Sequence, residues 1–142
     1  MSTIGLDLGT RTLGVAISRT GLIAGPYTLL KYQDENYDYL ASEIKKIVLK
    51  EQVDSIALGF PKNMNNTCGF ATERTMKFLN VLKNYVEVPI TLIDERLSTV
   101  EANNILLTND MSRKKRKKII DVTAAMIILD TYLKKRNNNE KE

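Results

Sequence analysis

The chain opens on two short apolar stretches that read as strands. In Thr3–Leu8 the side chains of Ile4, Leu6 and Leu8 alternate with Gly5 and Asp7, a period of two. Thr12–Ser18 is a second apolar run, and Gly9-Thr10-Arg11 forms the turn between them. The glycines of this region, Gly5, Gly9 and Gly14, suit tight packing or close approach of a ligand. Tyr27–Tyr32, after Gly25-Pro26, supplies a third strand and completes an antiparallel meander. The period then changes. From Tyr37 to Lys50, Leu40, Ile44, Ile47 and Val48 recur at three- and four-residue steps, with Lys45, Lys46 and Lys50 on the other side, which predicts an amphipathic helix. Ser55–Gly59 is a short apolar strand, and a strand–helix–strand crossover places it parallel and buried. Phe60 to Phe70 is a polar loop with Pro and Gly. A second helix spans Ala71 to Leu82, and Ile90–Asp94 is a fifth strand. Ser98 and Glu101 form a capping box that starts a third helix. A last helix runs from about Ile119 to Arg136, and Asn137–Glu142 is a frayed tail. The expected architecture is α/β: one domain over residues 1–136, with a mixed five-stranded sheet (βββαβαβα) and helices on both faces.

Charge changes the picture at one place. The 142 residues carry a formal net charge of +4 from 21 basic and 17 acidic side chains, but six of the basic ones lie in the single run Arg113-Lys114-Lys115-Arg116-Lys117-Lys118. The rest of the chain is slightly acidic. A local basic patch of this kind points to a phosphate-bearing partner. The chain has no histidine, which excludes Ser-His-Asp and Cys-His catalysis and any His-ligated metal. Its one cysteine, Cys68, excludes an intrachain disulfide and a thiolate zinc cluster. The N-terminus lacks the pattern of a signal peptide, and no apolar run approaches a membrane span, so the expectation is a soluble cytoplasmic protein without a membrane partner.

Chemistry must then rest on carboxylates, hydroxyls, Lys, Arg and a hard cation. Asp7 interrupts an apolar strand, on the face opposite Ile4, Leu6 and Leu8. Glu95 follows the end of the fifth strand, where open α/β sheets place ligands. Asp121 heads the stripe Ala124, Ala125, Ile128 and Tyr132, whose small residues let the helix approach the sheet. Taken singly, each acid has an ordinary reading. Asp7 suits a turn, Glu95 a pairing with Arg96 or Arg11, and Asp121 the favourable end of a helix dipole. Together they form an all-oxygen set suited to Mg²⁺ or Mn²⁺.

The stretches GLDLGTRTLGVAIS (5–18), GFPKNMNNTCGFATER (59–74), LIDERLSTVEA (92–102) and SRKKRKKIIDVTAAMIILDTYL (112–133) resemble the YqgF family, bacterial ribonuclease H-like proteins. That family is described both as Holliday junction resolvases and as nucleases maturing the 5′ end of pre-16S rRNA. The resemblance implies a ribonuclease H-like fold and Asp7, Glu95 and Asp121 as the metal-binding catalytic set. The expected activity is metal-dependent hydrolysis of nucleic-acid phosphodiesters, with 5′ processing of pre-16S rRNA ahead of junction resolution. The basic run Arg113–Lys118 would hold phosphates, Lys62, Asn63 and Asn65 would reach the scissile region from their loop, and Arg11 and Arg96 would also bind the nucleic acid. The family often has a basic residue at Thr12 and Asp-Gly at Asn65-Asn66. Two other readings compete: a non-catalytic RNA-binding module, and a sugar-kinase-type ATPase suggested by Asp7-Leu8-Gly9-Thr10 but short of the second domain that fold needs. A monomer is expected over a dimer.

Overall fold

In a computed structural model, described here for residues 2–60, 70–94 and 113–140, five strands form one mixed sheet in the order β3-β2-β1-β4-β5. The strands are β1 (Ser2–Leu8), β2 (Thr12–Ser18), β3 (Gly25–Lys31), β4 (Val53–Phe60) and β5 (Ile90–Asp94). The first three form the expected meander, with β1 antiparallel to β2 and β2 antiparallel to β3. β4 adds parallel to β1 and β5 parallel to β4. The C-terminal ends of β1, β3, β4 and β5 therefore share one end of the sheet. β3 begins two residues before the expected strand because Pro26 is accommodated. A proline cannot donate to a ladder, but β3 is an edge strand and its register shifts opposite Val15–Ala16.

One face of the sheet carries Ile4, Leu6, Leu8, Leu13, Val15, Ile56 and Leu58, buried under α1 (Tyr37–Glu51) and α2 (Phe70–Leu82). Leu40 and Ile44 of α1, and Phe78 and Leu82 of α2, fill the space between the layers with no exposed surface. Asn36 caps α1 by accepting a hydrogen bond from the Tyr39 amide, and Gln52 ends it in the left-handed conformation.

The other face belongs to one long helix, α3 (Arg113–Glu140). It starts six residues before the apolar stripe, so the basic run expected to precede the helix is its first turns; Lys and Arg are good helix formers even without an apolar period. It also continues past Arg136 to Glu140, where the sequence pattern suggests a tail, and Asn137 donates to the Gly21 carbonyl. Ala125, Leu129 and Leu133 pack against Ala16, and Ile128 packs against Ala57 and Ile93. The helix expected at Ser98, the loop residues 61–69 and the tail residues 141–142 lie outside the described residues.

Candidate functional site

Strand alternation puts Gly5 and Asp7 on the α3 face, as the sequence pattern predicts. Gly5 is where the helix comes closest. A Cβ there would stand 2.7 Å from the Ala125 carbonyl oxygen and 2.7 Å from the Leu129 Cβ, so only glycine fits. Towards the start of β1, the Arg136 guanidinium donates to Thr3 Oγ1 at 3.4 Å. The two contacts fix the direction: α3 runs antiparallel to β1. From Gly5 to Asp7 is about 6.6 Å along the strand. From Ala125 back to position 121 is about 6 Å along the helix. Position 121 thus lies at the Asp7 end of the sheet, one turn beyond the closest contact. It is the ninth residue of α3, not an N-terminal one, which removes the helix-dipole reading of Asp121.

Asp7 itself is half-buried and engaged with its surroundings. Its cross-strand partner on β2 is Gly14. On the other side the parallel ladder with β4 ends at Leu6, paired with Leu58, and the next residue of β4 is Gly59. Neither neighbour contributes a side chain beside the carboxylate. β5 ends at the same level, with Asp94 paired to Phe60. Side chains of α3 are described from Val122 onwards, and Glu95, Arg96, Lys62, Asn63 and Asn65 lie outside the described residues. Among the described residues no group of three acids, histidines or cysteines is placed to hold a metal ion. The donor chemistry at Asp7, a hard carboxylate flanked by two glycines at a strand end, suits Mg²⁺ or Mn²⁺.

The turn that follows Asp7 is held rigidly by a residue not singled out from sequence. Tyr32, just past β3 and buried, donates its hydroxyl to the Gly9 carbonyl at 2.5 Å and its amide to the Arg11 carbonyl at 3.0 Å. The Gly9 amide donates to the Thr12 carbonyl at 2.7 Å. The Tyr32 ring packs on Tyr37, and Tyr37 packs on Phe78. Burial pushes the Tyr32 hydroxyl up to about 12, so it stays a donor at any physiological pH. The aromatic closing an apolar strand was a signal for burial, not for a clamp on a distant turn.

Comparison with known proteins agrees with this architecture. A protein from Bacillus pumilus named "Putative pre-16S rRNA nuclease" is 47% identical over 138 residues, covering 96% of this chain and all of the relative. Proteins of the same name from Geobacillus sp. and Clostridium acetobutylicum are 44% and 45% identical, each over 94% of this chain and over 97% and 98% of the relative. Thermus thermophilus RuvC in complex with a Holliday junction substrate shares the fold, with a TM-score of 0.64 at 13% identity over 97% of this chain and 96% of that one. A sucrose-bound ROK family protein from Streptococcus pneumoniae also matches, with a TM-score of 0.51 at 16% identity over 77% of this chain, but only 39% of its own length is covered. The RuvX family model, described as Holliday junction resolvase, matches residues 1–135, and the chain belongs to that family.

Proposed function

We propose that this protein is a metal-dependent nuclease that trims precursor 16S rRNA at its 5′ end, with Asp7, Glu95 and Asp121 as its carboxylate set. The observation that carries the reading is the antiparallel packing of α3 on β1. It brings position 121 to the end of the sheet that holds Asp7, at the level where β5 ends just before Glu95. Mg²⁺ or Mn²⁺ bound there would supply a Lewis acid for phosphodiester hydrolysis. The chain's own part is to hold Asp7 on a rigid strand, keep the flanking positions free of side chains, and fix the Gly9–Arg11 turn through Tyr32. The rRNA substrate is favoured by the name shared by full-length relatives at 44–47% identity.

The opening of α3 supports a polyanionic partner. A helix N-terminus carries partial positive charge, so cations in the first turns are disfavoured there. Here the first six residues of α3 are Lys or Arg, with no acidic residue in the first turn. Phosphates bound beside that end offset the unfavourable placement. No helix among the described residues is long and apolar enough to cross a membrane. A second reading, junction resolution, rests on the description of the matching family. The deciding experiment is Mg²⁺-dependent cleavage of precursor 16S rRNA, single-stranded DNA and a four-way junction side by side. Cleavage of the precursor at the mature 5′ end supports the proposal; cleavage of the junction alone replaces it with the second reading.

A further inference from the structure

At the same end of the sheet, on the α1 side, lies an open cleft of about 1000 Å³. Two basic residues line it: Arg11, from the turn after Asp7, and Lys31, the last residue of β3. Three acidic residues also line it, Asp34 and Glu35 in the connection to α1 and Asp38 in the first turn of α1. Tyr39 lines the cleft and is 42% exposed, large for an aromatic side chain on a packed helix. Among the described residues, Arg11, Lys31, Asp34 and Glu35 form no ion pair, and Asp38 accepts a hydrogen bond from the Tyr85 hydroxyl. Asp34 and Glu35 both hold left-handed backbone, φ 52° and 56°, which is sterically costly for residues with a Cβ and holds the two in a tight turn.

We propose that this cleft is a nucleotide subsite, taking one unpaired nucleotide of the substrate strand next to the scissile phosphate. The mix of basic, aromatic and acidic side chains matches that ligand. A nucleotide is anionic at its phosphate, which Arg11 and Lys31 receive. Its base has a π-face, which suits Tyr39. Its Watson–Crick edge carries amino and imino donors, which a carboxylate accepts. A base in a duplex has that edge occupied, so the cleft selects single-stranded substrate. The lining carboxylates favour bases with an exocyclic amino group over uracil. The subsite is mechanically joined to the catalytic end, because Tyr32 lines the cleft and holds the Gly9 and Arg11 carbonyls. This inference rests on the nuclease reading and adds to it where the strand lies and which bases are held.

The test uses Asp7→Asn protein, which should bind substrate without cutting it, and fluorescently labelled six-nucleotide strands of cytidine or uridine, as RNA and as DNA, read by anisotropy. A duplex of the same length is the control. The cytidine strand should bind more tightly than the uridine strand. Adding Tyr39→Ala should weaken single-strand binding by roughly five- to 150-fold, the scale of one base stacked on one aromatic ring. Tyr39→Phe should restore it, and neither change should affect the duplex. Glu35→Gln should narrow the cytidine–uridine difference. RNA and DNA responding alike places the recognition on base and phosphate; RNA alone responding adds the 2′-hydroxyl, and both support the subsite. Unchanged single-strand binding in both Tyr39→Ala and Lys31→Ala proteins, with melting temperatures showing them folded, overturns the subsite. An equal loss on duplex also overturns it. The nuclease reading would survive either result, since it fails separately, if Asp7→Asn protein still cleaves.

Discussion

A carboxylate in an apolar strand is costly unless something accompanies it, and Asp7 is placed for company: half-buried, with glycine on each neighbouring strand and an incoming helix overhead. Asp7→Asn keeps the shape and removes the charge. It should lower cleavage by on the order of 10²–10³-fold or more, the scale for losing one group from a preorganised charge-stabilising site. It should also abolish the thermal stabilisation that Mg²⁺ gives the wild type, about 2.7 kcal/mol at a concentration 100 times Kd. Calorimetry with and without Mg²⁺ checks this independently of activity; equal Mg²⁺ stabilisation of both proteins would remove Asp7 from the metal site. Tyr32 makes a different prediction. Tyr32→Phe keeps the ring against Tyr37 but orphans the Gly9 carbonyl, at a cost of about 1 kcal/mol. Because the folded state raises this hydroxyl from 10 to about 12, its contribution to stability is full below pH 10 and is lost as pH rises from 10 through 12. Denaturant titrations from pH 9 to 12 should show that loss in the wild type and a shallower one in Tyr32→Phe protein.

At the scale of elements, α3 sets the site by how closely it lies on β1. Gly5→Ala would drive a methyl into the Ala125 carbonyl and the Leu129 Cβ, backbone or backbone-adjacent atoms that cannot rotate away. The expected destabilisation is about 1–3 kcal/mol, with the helix lifted from the strand. Cleavage should fall further than stability, and urea melts beside initial rates measure the two. The basic first turns of α3 bear on affinity instead. Replacing Arg113–Lys118 with Gln, also a good helix former, should leave helicity intact and flatten the slope of log K against log[salt] for single strands by up to ~4 units. An unchanged slope would place the phosphate contacts elsewhere. Much of this arrangement was legible beforehand. The alternation of Ile4, Leu6 and Leu8 put Gly5 and Asp7 on one face, and the Ala124–Ala125 stripe pointed to close packing, because both are period effects visible within a few residues. The start of β3 was not legible, since Gly25-Pro26 reads as a breaker unless the strand is known to be at an edge. Nor was the start of α3, where helix propensity acts without an apolar period. The cleft between Arg11 and Tyr39, and the Tyr32 clamp, arise only when β2, β3 and α1 meet, and no local spacing encodes that.

For the molecule as a whole, the question is whether one site works alone. Resolving a four-way junction needs two coordinated cuts, hence two sites related by a two-fold axis in a stable dimer. A stable interface buries ~1,200–2,000 Å² and has an apolar centre. Among the described residues the apolar stripes of α1 and α2 are spent on one face of the sheet, and that of α3 on the other. The large exposed apolar side chains are scattered: Leu22 and Ile23 in the β2–β3 connection, Tyr39 and Leu49 on α1, Met76 on α2 and Leu92 on β5. Among the described residues they form no continuous centre on any one element. Cutting one strand needs only one site, a basic element to hold it and a place for an unpaired nucleotide. Sedimentation velocity at micromolar concentration should therefore show a monomer of 16.1 kDa, with and without Mg²⁺. Single-turnover cleavage of precursor rRNA should be independent of protein concentration once the substrate is saturated. A dimer that nicks both strands of a junction symmetrically, while leaving the precursor intact, would transfer the assignment to junction resolution and require the interface to involve residues outside those described.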